Sequence, residues 1–163
     1  DAMRVYAGTD IALTNGGGIR ASINAGDITM GDVYTVLPFD NTLITLQVTG
    51  AQLKEALEHS VSAYPETLGG FLQVSGISFE FDPGQPVGER VTKIMVGNQP
   101  YNPEAAYTVA TNDFLAAGGD GYSMLAAARK LADTGMMLRD IIAEFFSGQT
   151  INPEIEGRIV VRQ

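Results

Sequence analysis

Ile11-Ala12-Leu13-Thr14-Asn15-Gly16-Gly17-Gly18-Ile19-Arg20 is the stretch from which the fold is read. Ile11 to Thr14 has the apolar and β-branched character of a short buried strand, and it runs straight into a glycine triplet. Glycines in a row let the main chain take positive φ and approach another group closely. Successive N–H groups in such a turn form a concavity for an anion, and Arg20 adds a planar guanidinium fork suited to phosphate. The same residues also read as a tight strand-to-loop turn followed by a surface arginine. The spacing is neither that of a Walker A loop nor that of a Gly-x-Gly-x-x-Gly fingerprint.

Working outward, residues 1–7 read as a helix with Met3 and Tyr6 on one face. No N-cap precedes it, so it is expected to be the tail of a longer helix. Thr29-x-x-Asp32 is a capping box for one or two turns ending before Pro38. Residues 42–48 read as a strand. Thr49-x-x-Gln52 is a second capping box, opening a helix with Leu53, Ala56, Leu57, Val61 and Tyr64 on one face and stopped by Pro65. Strands are expected at 71–74, 77–81, 91–96, 107–111 and 158–161, with turns at Asp82-Pro83-Gly84 and Gly97-Asn98. Helices are expected over 123–129 and from about 136 to 146. The second turns Leu138, Ile141, Ile142 and Phe145 inward, has Met136-Met137 as core filling at its start, and ends at Gly148. Irregular interleaving of this kind implies α+β, with mixed β-sheets and flanking helices.

Two further constellations stand out. In Asn112-Asp113-Phe114-Leu115-Ala116-Ala117-Gly118-Gly119-Asp120-Gly121-Tyr122, an aspartate among glycines after a strand is placed to accept hydrogen bonds from ribose hydroxyls. It also suits a turn in which Asp120 bonds its own backbone. In Leu37-Pro38-Phe39-Asp40-Asn41, a phenylalanine beside proline and between polar residues suits an exposed ring offering its face to a base. The alternative is a core anchor for the following strand. His59, late in its helix, reads as structural, because no carboxylate or second histidine stands at ligand spacing from it. The acidic residues Glu154 and Glu156 read as part of a solvated face.

Composition narrows the classes. At 163 residues the chain suits one domain, residues 1–163, able to bury a core without cross-links. Ten Lys and Arg against 19 Asp and Glu give a formal charge of −9, which opposes binding to a phosphate backbone, so no nucleic-acid partner is expected. No apolar run approaches the ~20 residues of a membrane span, and Asp1-Ala2-Met3-Arg4 has no signal-peptide core. With no cysteine and one histidine, thiolate and multi-histidine metal sites are excluded.

The ordered series Asn15-Gly-Gly-Gly-Ile-Arg20, Asp32-Val-Tyr-Thr-Val-Leu-Pro-Phe39, Gly69-Gly-Phe-Leu-Gln-Val74 and Asn112 to Tyr122 resembles the C-terminal domain of the 5′-nucleotidase family. That family includes ecto-5′-nucleotidases, periplasmic UDP-sugar hydrolases and 2′,3′-cyclic-nucleotide phosphodiesterases. The resemblance implies the layered α/β fold of that domain and a set of substrate-binding residues. Phe39 and Phe114 match the two aromatics that sandwich the base. Asn15 matches an asparagine bonded to the nucleoside, and Arg20 an arginine on the phosphate. Asp120 matches the aspartate on the ribose hydroxyls, and Gly69 a glycine lining the pocket. No catalytic or metal-binding residue is expected in the chain, and no cofactor. The resemblance places two divalent metal ions and the hydrolysis in a preceding metallophosphoesterase domain, which is the expected partner besides a nucleotide or nucleoside. It also implies another phosphate-binding arginine upstream, an extracytoplasmic location, and inactivity of this fragment alone. Two alternatives remain: a non-catalytic nucleotide-binding module, or the same fold serving cyclic nucleotides or UDP-sugars.

Overall fold

Residues 42–49 show why the chain builds a two-sided sheet. Ile44, Leu46 and Val48 enter one apolar core while Leu43 enters another, following the two-residue period of a strand. A strand buried on both faces needs apolar residues at consecutive positions, and Leu43 to Leu46 are all buried. The computed structural model describes residues 1–162. Its strands are β1 (Ile11–Asn15), β2 (Thr42–Thr49), β3 (Leu72–Ser75), β4 (Ile77–Phe81), β5 (Val91–Val96), β6 (Gln99–Pro100), β7 (Ala106–Asn112), β8 (Arg129–Met137) and β9 (Ile159–Val161). The α-helices are α1 (Ala2–Ala7), α2 (Met30–Val36), α3 (Gly50–Ser60), α4 (Asp113–Ala116), α5 (Ser123–Ala126) and α6 (Leu138–Phe146).

The central sheet has the order β3-β1-β7-β2-β8, and a smaller sheet the order β6-β5-β4-β9. Both are mixed: β1 runs parallel to β7 and β4 parallel to β9, while the other pairs are antiparallel. On one face of the central sheet, Met3 of α1 and Leu138 and Ile141 of α6 pack on Ala12, Leu43 and Ala110. On the other, Leu53 and Leu57 of α3 join Phe79 and Phe81 of the smaller sheet over Ile11, Leu13 and Val109. The result is the mixed α+β arrangement expected from the sequence.

Both expected capping boxes form. The Thr29 side chain accepts from the Asp32 N–H and the Thr49 side chain from the Gln52 N–H, each answered by the reverse bond. Several expectations need correction. The helix expected over 123–129 is only Ser123–Ala126, and the one expected from 136 starts at Leu138. Between them, Arg129–Met137 is a strand. It is exposed along nearly its whole length and is made by pairing with β2 through two register shifts, so it carries no apolar period to announce it. Met136 is accordingly exposed, not core filling. Tyr6 is exposed while Met3 is buried, because only the Met3 side of α1 meets the sheet. The helix before Pro65 ends at Ser60. The short elements α4 and β6 were not expected.

Glu58 joins the layers. Its carboxylate, buried on α3, accepts the backbone N–H groups of Arg90 (2.8 Å) and Val91 (3.0 Å) at the start of β5. Arg90 Nη1 reaches back to the carbonyls of Val61 (2.7 Å), Ser62 (3.0 Å) and Tyr64 (3.0 Å), beyond the C-terminus of α3. A buried N–H left without a partner costs about 1–3 kcal/mol. Glu58→Ala is therefore expected to lower the unfolding free energy by about 2–6 kcal/mol in urea denaturation, the sum over two such donors. Glu58→Gln, which keeps one carbonyl acceptor, is expected to lose clearly less.

Candidate functional site

The strand registers bring the sequence motifs to one end of the central sheet. Asn15, the last residue of β1, is opposite Leu72, the first of β3. Asn112, the last of β7, is opposite Leu43 near the start of β2. The loops leaving or entering these strands are 15–20, 69–71, 37–41 and 112–122, so all four motifs share one edge.

Gly16 to Gly18 forms a single 3₁₀ turn. Its Gly16 N–H donates to the Phe71 carbonyl and its Gly17 N–H to the Gly69 carbonyl, both at 2.8 Å. These two donors are thus taken by the neighbouring loop, and do not face an open anion concavity. The glycines are needed for main-chain contact instead. A Cβ on Gly17 would lie 3.1 Å from the Cα and carbonyl oxygen of Gly69. Arg20 is exposed; its N–H donates to Val36, and its Nη1 lies 3.4 Å from the Gly17 carbonyl. It forms no ion pair among the described residues, which leaves the guanidinium available.

An amide relay crosses the sheet end. Asn112 Nδ2 donates to Asn15 Oδ1 (3.0 Å) and Thr14 Oγ1 (3.3 Å), and Asn15 Nδ2 donates to Asp120 Oδ2 (3.0 Å). Asn112 Oδ1 accepts the Leu115 N–H (2.8 Å), so the same side chain caps α4. Both asparagines are buried, which holds the Asp120 carboxylate at the rim by groups with little freedom. Asp120 is the only non-glycine residue with positive φ among those described (φ 53°, ψ 20°). Glycines with φ of 90° and 86°, Gly118 and Gly121, lie close on either side of it. Tyr122, fully buried, donates its hydroxyl to the Gly70 carbonyl at 2.5 Å, and burial pushes that hydroxyl's pKa up.

Two phenylalanines are held at the rim with much of their surface in solvent. Phe39 is 51% exposed and Phe114 is 43% exposed, unlike the buried Phe79 and Phe81. Phe114 lies on α4, its ring against Gly119, where a Cβ would stand 2.6 Å from the ring atoms. Phe39 is in the loop before β2. That loop is tied to α4 by the Thr42 N–H on Asp113 Oδ1 (3.1 Å). It is tied to α6 by Asp40 and Arg139 at 2.6 Å, with the Arg139 guanidinium 4.6 Å above the Tyr34 ring. The Asp40 carboxylate raises the Arg139 pKa above its ordinary value. Gly69 is exposed beside Gly17.

Among the six candidate residues, Asn15 and Asp120 are directly bonded, and Gly69 and Arg20 both meet Gly17. Phe39 and Phe114 are linked through Thr42 and Asp113. Sequence reading gave no part to Asn112, Tyr122, Asp113 or Arg139. Only Asn112 carried a local signal, as an N-cap residue. A groove of about 930 Å³ lies between α1, α6 and residues 151–159, and none of the six candidates lines it. Its walls are mostly apolar, so the polar relay makes the sheet end the better candidate site. Among the described residues, no cluster of three or more His, Cys, Asp or Glu side chains is arranged to hold a metal ion. The donors present do not fit a dinuclear metal centre.

Comparison with known proteins adds independent information. Residues 1–127 match the family described as 5′-nucleotidase, C-terminal domain. The trifunctional nucleotide phosphoesterase protein YfkN of Bacillus subtilis is 43% identical over 94% of this chain, which spans 11% of that protein. A snake venom 5′-nucleotidase of Crotalus adamanteus is 36% identical over 92% of the chain, which spans 28% of it. The crystal structure of a 5′-nucleotidase precursor from Thermus thermophilus superposes with a TM-score of 0.90 at 44% identity, over 99% of this chain and 34% of that one. The chain therefore spans about a third or less of the length of each of these proteins.

Packing at the two glycine contacts makes opposite demands. Gly17→Ala pushes main chain against main chain, and is expected to cost about 1–3 kcal/mol, seen as a lower thermal midpoint. Gly119→Ala meets only the outer atoms of an exposed ring. It is expected to move Phe114, seen in the NMR shifts of that ring, with a much smaller change in midpoint.

Proposed function

The chain belongs to the family of 5′-nucleotidase C-terminal domains, and from that membership we propose that it is the substrate-recognition domain, one domain over residues 1–163, of a nucleotide phosphohydrolase. It binds and orients the nucleotide while a preceding metallophosphoesterase domain hydrolyses the ester. In that neighbour, two divalent metal ions supply the Lewis acid and the activated water. The contribution of this domain is position: holding the ester in a reactive pose removes entropy from the barrier before chemistry begins.

The observation that carries this reading is the gathering of four loops at one sheet end, with two exposed phenylalanine rings, a polar relay and an open guanidinium. Each part suits a piece of a nucleotide. Phe39 and Phe114 sandwich the base, a contact that tolerates different bases because each has a π-face. Asp120 accepts the ribose hydroxyls, Asn15 bonds the nucleoside, Arg20 takes the phosphate and Gly69 lines the pocket. A nucleotide as substrate is supported by a relative named as a trifunctional nucleotide phosphoesterase. An extracytoplasmic location is supported by a relative found in venom. No described helix is long and apolar enough to cross a membrane.

Stacking on an aromatic ring is worth roughly 1–3 kcal/mol per base. In the full-length protein, Phe39→Ala and Phe114→Ala are each expected to raise KM for AMP by roughly tenfold. KM for a base-free phosphate ester is expected to stay near the wild-type value. Equal changes for both substrates would remove the stacking role.

A further inference from the structure

His59 lies on α3, outside the four motifs, yet it touches the loop that carries Asp120. Its Nε2 is 2.8 Å from the Asp120 carbonyl oxygen. A carbonyl only accepts, so Nε2 carries the hydrogen; the neutral Nε2–H tautomer and the imidazolium both make this bond. The ring is packed as well as bonded. It meets Tyr122 edge-on, with centroids 4.7 Å apart and planes at 87°. A Cβ on Gly121 would lie 2.9 Å from its Cε1 and Nε2.

Asp120 is thereby held at three points. Asn15 Nδ2 holds the carboxylate at 3.0 Å, His59 holds the carbonyl, and Gly70 closes the third side, where a Cβ would lie 3.2 Å from Asp120 Cβ. The left-handed backbone of Asp120 carries a steric penalty for any residue with a Cβ, and it persists where the surroundings over-determine it. Asn15 alone leaves the peptide plane free to turn. The His59 bond fixes that plane, and with it the direction in which the side chain leaves the backbone.

We propose that His59 is a positioning residue for ribose recognition: it clamps the Asp120 carbonyl so that the Asp120 carboxylate meets the sugar hydroxyls. This rests on the reading of Asp120 given above. Its consequence is selectivity for ribose over sugars lacking both hydroxyls, with no part in bond cleavage.

The test uses the full-length protein with AMP and 2′,3′-dideoxy-AMP, and compares wild type with Asp120→Ala, His59→Phe and His59→Gln. Phenylalanine keeps a ring and loses the donor; glutamine keeps a donor at similar reach. Wild type is expected to favour AMP in KM, and Asp120→Ala to level the two substrates. His59→Phe is expected to reduce the AMP preference roughly five- to tenfold with kcat unchanged, as for the loss of one hydrogen bond. It is also expected to speed amide hydrogen exchange in residues 117–122. His59→Gln is expected to restore the preference and the slow exchange. The proposal is overturned if His59→Phe keeps the wild-type preference while Asp120→Ala abolishes it. Equal loss on both substrates, or unchanged exchange, overturns it too. If Asp120→Ala leaves the preference intact, the ribose reading fails. Exchange alone then decides whether His59 holds the loop.

Discussion

Main chain touching main chain is the constraint on which the site depends. The N–H groups of Gly16 and Gly17 meet the carbonyls of Phe71 and Gly69 at 2.8 Å, and no side chain fits between Gly17 and Gly69. This contact closes the loop after β1 onto the loop before β3. With that pair closed, Asn15 sits beside Asn112 and reaches Asp120, and the Arg20 guanidinium lies at the Gly17 carbonyl. The glycine triplet therefore acts chiefly as a joint. Two of its N–H donors are already engaged with the neighbouring loop, while the Arg20 side chain is exposed.

Rigid strands explain how flexible-looking loops hold a defined geometry. β1, β7 and β2 are adjacent in a sheet buried on both faces, so their ends have little freedom. Each strand end places one anchor: Asn15, Asn112 and, through Thr42, the loop bearing Phe39. Loops carry most of the candidate residues and the sheet fixes their spacing, a common division in folds of this kind. The half-exposed rings of Phe39 and Phe114 stand at this same sheet end.

Local chemistry in the sequence was enough to read most of the scaffold. The Thr29 and Thr49 capping boxes marked two helix starts, and consecutive apolar residues marked β1 and β2. β8 escaped because Arg129 to Met137 owes its extended form to pairing with β2 at the sheet edge, not to its own pattern. The same limit applied at the site. Arg20, Phe39 and Asp120 stand out by local chemistry and Asn15, Gly69 and Phe114 by resemblance to a family, while the long-range partners of the side chains that hold them leave no local sign. Asn112 finds Asn15 across 97 residues of chain, Tyr122 finds Gly70 across 52, and His59 finds Asp120 across 61. Separations of that size leave no periodic trace, because only the folded sheet brings the partners together.

Glu58 and His59 are neighbours on α3, but they face different duties. Glu58 grips the start of β5, and Arg90 grips the helix in return. One residue further along, His59 grips the Asp120 loop. The helix is thus bolted to the outer sheet through Glu58, while the next side chain along rests on the Asp120 loop. Arg90 is thereby joined to the Asp120 loop through the last turn of α3. The outer sheet and the sheet end that gathers the four motifs thus share one helix turn as a mechanical link.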